Sequence, residues 1–289
     1  MTTTLSQKSK FNKQINEYVS YPDSDLSEIE RELFQIFEHE ISSENSVILS
    51  YKPQAVRKLA QFISGNIKRS ASVGIAGETA SGKSTITLDI IETIEVFANI
   101  YSINSVITRV NSDDYYYDRS KEVQAAGGMA EFAKTYDFDV PEAIELNLMK
   151  EHIQELLNGK SVMLPKYDMS GTTIRTDNCT PAHPSKVIIS EGLFTLTHGI
   201  REAFDFKIYV DIDSEIQKER FFRRANERGL GESAHKIYDN ASNKANIYIR
   251  PCKEIADIVL SGEAQRSGYK LFLNKILLLI ENKYYSKNR

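Results

Sequence analysis

The segment Gly77-Glu78-Thr79-Ala80-Ser81-Gly82-Lys83-Ser84 constrains this chain more than any other feature. It fits the spacing GxxxxGK[ST]. The apolar run Val73 to Ala76 before it reads as a strand. The residues after it, with Ile86, Leu88, Ile91 and Ile94, read as an amphipathic helix. Glycines let successive backbone N–H groups curl around a phosphate, and a helix N-terminus adds positive partial charge. In such a loop Lys83 reaches the β- and γ-phosphates, the Ser84 hydroxyl ligates Mg²⁺, and Thr85 donates to the α-phosphate. The expected nucleotide site is therefore Gly77, Glu78, Thr79, Ala80, Ser81, Gly82, Lys83, Ser84 and Thr85.

A strand–loop–helix unit of this kind belongs to an α/β sheet, and the chain from residue 71 onward agrees. Short β-branched runs at Val106 to Val110, Val187 to Ile189, Lys207 to Ile212 and Asp257 to Leu260 alternate with helical patterns. One helix is expected from Pro141 through Ile144, Leu148, Ile153, Leu156 and Leu157 to a stop at Gly159. Alternation implies right-handed crossovers, a mostly parallel sheet and helices on both faces. Ligands then sit beyond the carboxyl ends of the strands. The expected fold is a three-layer sandwich of the P-loop NTPase type, with residues 71–289 as the main domain and a lid at about 220–250.

Residues 1–70 read as a helical extension. Asp25 and Glu28 resemble a capping box ahead of Leu26, Ile29, Leu33, Ile36/Phe37 and Ile41, and a second helix runs from Pro53 to Gly65. The C-terminal Leu271, Leu273, Ile276, Leu277 and Ile280 suggest a core helix.

Composition narrows the function classes. The 289 residues include 36 basic and 40 acidic side chains, a net charge of −4. That balance argues against broad binding to nucleic acid or to an anionic membrane surface. The longest apolar run, Ile276 to Ile280, is too short to span a bilayer. The first residues lack the apolar core of a signal peptide, and Cys179 and Cys252 are far apart, so a reduced, cytoplasmic location is expected. The five histidines share no metal-ligand spacing.

The strand ends carry the chemistry. The second strand runs into Asn111-Ser112-Asp113-Asp114-Tyr115-Tyr116-Tyr117, whose carboxylates suit a base that accepts a hydroxyl proton during phosphoryl transfer. An Asx-type turn with packed tyrosines is the structural alternative. Glu191 ends another strand, where a carboxylate holds Mg²⁺ or its waters. Ser214 and Gln217 form a capping box for a helix carrying Arg220, Arg223, Arg224 and Arg228, a guanidinium cluster suited to closing over phosphates about Gly229 and Gly231. The segment Asn243-Lys244-Ala245-Asn246 lacks the aspartate of a guanine clamp, which counts against a GTPase.

Taken in order, the phosphate loop, Ser112 to Asp118, Tyr136 to Ala143, Pro165 to Asp168, Ile189 to Gly192, Arg220 to Gly229 and Pro251 to Asp257 resemble the uridine kinase/phosphoribulokinase family across residues 71 to 262. The resemblance implies a kinase that moves the γ-phosphate of ATP, with Mg²⁺, onto an alcohol of a small molecule. By position, Asp113 matches the family's base, with Tyr116 beside it. Phe138 and Asp139 match the segment that holds a nucleoside, and Tyr167 lines the acceptor pocket. Arg220, Arg223 and Arg228 match lid positions, with Arg223 and Arg228 at the phosphate or ribose.

Two departures stand out. Met169-Ser170-Gly171-Thr172-Thr173-Ile174 lacks the family's base-reading histidine, and Leu230 stands where an arginine is usual. The resemblance therefore implies a nucleoside kinase with the base left open, adenosine included. Other readings are a same-fold kinase of another alcohol, such as ribulose 5-phosphate or a pantothenate-like acceptor, and an ATP-binding regulatory module. A homo-oligomer is likewise left open.

Overall fold

The computed structural model describes residues 27–168 and 174–285. The main elements in chain order are α1 (Glu28–Ile41), β1 (Ile48–Tyr51), α2 (Pro53–Ile63), β2 (Ala71–Gly77), α3 (Lys83–Ile100), β3 (Ile107–Asn111), α4 (Leu146–Leu157), β4 (Val162–Tyr167), β5 (Arg175–Ala182), β6 (Val187–Glu191), β7 (Phe206–Asp211), α5 (Ser214–Glu227), α6 (Ser233–Lys244), β8 (Ile258–Ser261) and α7 (Arg266–Tyr284). Six strands form one sheet in the order β1-β8-β7-β2-β6-β3, and β4 pairs with β5 in a separate hairpin. All pairings in the large sheet are parallel except β1 with β8.

Alternation along the strands builds a core on each side, because successive side chains of a strand point to opposite faces. Ile188 and Tyr209 join Met149, Ile153 and Leu156 of α4 on one face. Their neighbours Ile189 and Val210 join Ile29, Leu33, Phe37, Val56, Ile86 and Phe272 on the other. The result is the three-layer α/β sandwich with a mostly parallel sheet expected from the sequence. The segment ahead of residue 71 contributes the edge strand β1 and two helices that pack on the second face. Lys275 and Lys283 of α7 pair with Glu40 and Glu28 of α1 at 3.1 and 3.0 Å.

Several local expectations need correction. Asp25 lies outside the described residues, and the capping box of α1 is made by Ser27 and Glu30, whose side chains each bond the other's backbone N–H. The helix expected from Pro141 begins only at Leu146. Residues 141–143 form a 3-10 turn, and Ile144 stays extended because it bridges Tyr116 while Glu145 N–H donates to the Tyr115 carbonyl at 2.9 Å. The cap of α5 is Asp213, whose carboxylate accepts from the N–H groups of Glu215 and Ile216. Gln217 is thereby free to bond elsewhere, and it does so at the phosphate loop. The strands β1, β4 and β5 carry no clear alternation in the sequence and were not expected.

One buried charge joins the terminal helix to the loop helix. Asp89 of α3 is fully covered, and Arg266 in the first turn of α7 donates to both its oxygens, Nε to Oδ2 at 2.9 Å and Nη2 to Oδ1 at 2.5 Å. The hydrogen bonds from Arg266 hold the Asp89 carboxyl below its ordinary pKa. A depressed carboxylate contributes stability that is complete above the unfolded pKa, about 3.9, and is lost as pH falls through the folded value. Asp89→Asn should lower Tm by on the order of 5 °C at neutral pH. The deficit relative to the unsubstituted chain should shrink as the pH is taken below about 3.9. Thermal melts across pH 3 to 7 check both statements, and equal deficits at every pH would discard the pair as their cause.

Candidate active site

Sheet register brings the strand ends together. Ile75 of β2 and Asn111 of β3 both lie opposite Glu191 of β6. The phosphate loop, Asp113 and Glu191 therefore emerge from neighbouring strands at one level, at the carboxyl edge where ligands of such sheets sit. The approach is close. A side chain at Gly192 would place its Cβ 2.3 Å from the Ser112 side chain, so only glycine lets the end of β6 lie against the turn that bears Asp113.

The loop itself turns through Gly82, whose φ of 95° is open to glycine and strained for other residues. Lys83 begins α3, and its Nζ donates to the Glu78 carbonyl at 3.4 Å. Burial pushes its ammonium pKa down, Asp113 and Glu191 oppose that shift, and Arg224 adds to it. The Ser84 hydroxyl donates to Glu191 Oε2 at 2.9 Å. Glu191 is almost fully buried and accepts a second bond, from Arg109 Nη2 to Oε1 at 2.6 Å. Ser84 and Glu191 are hard oxygen donors side by side at the loop, a set that suits Mg²⁺ completed by phosphate oxygens and water.

The two adjacent carboxylates divide. Asp114 is taken up by structure: its oxygens accept from Tyr167 N–H at 3.2 Å and Asn111 Nδ2 at 3.4 Å, and Lys166 lies at 3.4 Å. Asp113 faces Lys83. Burial raises its pKa, Lys83 opposes that, and the negative charges of Glu191 and Asp114 reinforce it.

Beyond Asp113 lies an aromatic and acidic wall. The ring of Tyr116 is 5.4 Å from that of Tyr167, and its hydroxyl donates to the Phe138 carbonyl at 3.3 Å. Burial pushes the Tyr167 phenol up to about 12. Asp139 is held at the other end. Its pKa is raised by burial, and Asn240 Nδ2 of α6 donates to Asp139 Oδ2 at 3.2 Å and to Asp137 Oδ1 at 3.1 Å. Lys244 pairs with Asp137 at 2.8 Å.

The arginine helix α5 and helix α6 are joined across Gly229 and Gly231, both with positive φ. Phe221, Ala225 and Ala234 pack on Ala80 of the loop, and Phe222, Leu230 and Tyr238 extend that cluster. Arg220 Nη1 donates to the Gly262 carbonyl at 2.8 Å. Arg223 and Arg224 on α5 and Arg228 at its C-cap are all exposed, and the charge of Arg224 is felt at Lys83. Leu230 is spent on packing. Residues 169–173, which include most of the segment lacking the histidine, lie outside the described residues.

The structure thus gathers Lys83, Ser84, Asp113 and Glu191 in one place and sets Tyr116, Phe138, Asp139 and Tyr167 beside them. Sequence reading missed Arg109, the influence of Arg224 on Lys83, and the polar pair Asn240 and Lys244. An arginine between the β-branched residues Thr108 and Val110 of a strand was the available signal for Arg109. Nothing local marks Asn240, whose partners lie 103 and 101 residues away.

A mostly parallel sheet with a strand–phosphate loop–helix unit and carboxylates at the neighbouring strand ends defines a P-loop kinase. The chain belongs to the phosphoribulokinase/uridine kinase family, whose model matches residues 72–266. It is similar to the uridine kinase of Clostridium perfringens, 35% identical over 198 residues that cover 67% of this chain and 88% of that one. The uridine kinase of Halalkalibacterium halodurans is 32% identical over 222 residues, 75% of this chain and 98% of its own. Among solved structures, the YGR205w protein shares the fold with a TM-score of 0.51 at 14% identity, covering 72% of this chain and 92% of that one. The chain is accordingly a phosphotransferase.

Proposed function

We propose that the protein phosphorylates the 5′-hydroxyl of a nucleoside with ATP·Mg²⁺. Support comes from one arrangement above all: Asp113, facing Lys83 across the strand ends, lies between the phosphate loop and the wall of Tyr116, Phe138, Asp139 and Tyr167. The uridine kinase relatives favour the same reading.

In this reading the loop N–H groups and Lys83 bind the β- and γ-phosphates. Ser84 and Glu191 would hold Mg²⁺, which when bound offsets phosphate charge. Asp139 accepts hydrogen bonds from the ribose hydroxyls, with Phe138 and Tyr167 against the base and sugar. Asp113 takes the proton of the attacking hydroxyl as the phosphoryl group transfers. The lid arginines, Arg223 and Arg224 foremost, face the transferring group as the lid closes, with Arg220 supporting the loop wall and Arg228 toward the ribose. Free ATP and the two free cysteines suit the cytoplasm.

The wall also speaks to the acceptor's charge. Lys166, Arg175 and Lys244 there pair with Asp114, Glu145 and Asp137. Carboxylates and aromatic rings with engaged cations favour a neutral polyhydroxy acceptor over a sugar phosphate. Leu230 supplies no hydrogen bond to read a pyrimidine, so adenosine stands beside uridine and cytidine as a candidate.

The test is ADP release with ATP·Mg²⁺ across uridine, cytidine, adenosine, guanosine, ribulose 5-phosphate and pantothenate. Stimulation by one or more nucleosides is expected. Stimulation by ribulose 5-phosphate or pantothenate alone would overturn the nucleoside assignment.

A further inference from the structure

The phosphate loop of this chain carries a carboxylate of its own. Glu78 follows Gly77 directly, and its carbonyl accepts from Ser81 N–H at 3.1 Å and from Lys83 Nζ at 3.4 Å. A negative side chain in a loop that receives a polyphosphate opposes binding unless it is neutralised.

Arg250 neutralises it. Its Nε donates to Glu78 Oε1 at 2.8 Å and its Nη2 to Oε2 at 3.0 Å, a two-pronged pairing of planar groups across 172 residues of chain. The Glu78 side chain is 12% exposed and that of Arg250 39%, so the carboxylate is covered while its partner borders solvent. The third prong of Arg250, Nη1, donates to Asn246 Oδ1 at 2.5 Å. Arg250 directly follows the helical turn 245–249, which continues from α6 at the base of the lid.

The next loop residue is gripped from the other arm. Gln217 of α5 donates through Nε2 to the Thr79 carbonyl at 2.9 Å, and Tyr238 of α6 donates to Gln217 Oε1 at 3.1 Å. Residue 79 is thus held by α5, with α6 bracing Gln217, and residue 78 by the arginine behind α6.

We propose that Arg250 is a positioning residue for the nucleotide: it cancels the charge of Glu78 and fastens the phosphate loop to the base of the lid. It touches no reacting atom. The inference rests on the reading of residues 77–84 as the ATP loop and adds a required partner for it.

The experiment titrates ATP·Mg²⁺ into the full chain and into Arg250→Met, Arg250→Lys, Glu78→Gln and the Glu78→Gln/Arg250→Met double variant, with steady-state kinetics and thermal melts on each. Arg250→Met should weaken ATP binding roughly 10- to 100-fold, since an unpaired charge then faces the phosphates. The loss should be larger at about 50 mM than at about 500 mM salt, where screening is stronger. Glu78→Gln should bind ATP a few-fold more tightly, because the freed guanidinium adds positive charge at the loop. The double variant should recover most of the loss, Arg250→Lys should fall between, and KM for ATP should rise more than kcat falls.

A purely structural ion pair predicts a different pattern. Arg250→Met and Glu78→Gln would then weaken ATP binding and lower Tm alike, with no recovery in the double variant and no dependence on salt. That pattern overturns the proposal, as does unaltered ATP binding in Arg250→Met. Failure of the unsubstituted chain to bind ATP would overturn the nucleotide reading itself, a result distinct from both.

Discussion

An Asp113→Asn variant is expected to turn over roughly 10²- to 10⁴-fold more slowly than the unsubstituted chain at saturating ATP and acceptor, the range for removal of a positioned general base. Asparagine keeps the size of the side chain and its place two residues beyond β3, so the loss reads the proton-accepting role. Asp113 is the carboxylate of its pair that faces Lys83, whereas the oxygens of Asp114 are occupied by Tyr167 N–H, Asn111 and Lys166. Burial raises the pKa of Asp113, and the charges of Glu191 and Asp114 raise it further against the opposing pull of Lys83. A base works ionised, so kcat/KM should fall as pH drops through this raised value, above the ordinary aspartate range of about 3.9. The acid limb should vanish in Asp113→Asn. Turnover within a few-fold of the unsubstituted chain would remove Asp113 from the role of base.

The second large effect is expected at the lid. Arg224→Ala should lower kcat by roughly 10³-fold, the lower end of what an arginine that stabilises the transferring phosphoryl group contributes. Arg220 is committed to the Gly262 carbonyl, and Arg224 is the α5 arginine whose charge reaches Lys83. Arg223, which the family resemblance favours for phosphate contact, is one residue away and is measured in parallel as Arg223→Ala. Single-turnover rates separate the chemical step from binding. A fall confined to KM in both variants would assign these arginines to ground-state binding, and losses under about 10-fold in both would take them out of the transfer step.

Much of the site was legible from the sequence because its parts are local. A phosphate loop needs its glycines, lysine and hydroxyl at fixed offsets, and a strand end announces itself by apolar residues giving way to carboxylates. Those local patterns single out Asp113, Glu191, Lys83 and Ser84, which the fold brings into one neighbourhood. The arginine-bearing helix α5 was also legible, since arginines at spacings of three and four fall on neighbouring positions of one helix. Boundaries were less secure. Ile144 looked helical by periodicity, yet its bridge to Tyr116 keeps it extended, and a tertiary contact overrides local preference there. The cap of α5 is Asp213 because the helix already begins at Ser214, and Gln217, the other half of the expected box, bonds the Thr79 carbonyl.

By itself the sequence determined the α/β class, the phosphate loop and its strand–helix context, the carboxylates beyond two further strands and the arginine helix. Each of these is encoded by periodicity, turn chemistry or fixed spacing within a dozen or so residues. The tertiary structure alone decided which carboxylate of the Asp113–Asp114 pair is tied up, that Arg109 reaches Glu191, that Asn240 spans Asp137 and Asp139, and that Arg250 answers the charge of Glu78. Apart from the local bond of Asn111 to Asp114, those pairings join residues 52 to 172 positions apart. Their existence depends on strand order, crossover hand and the packing of the lid, and no local pattern of residues carries that information.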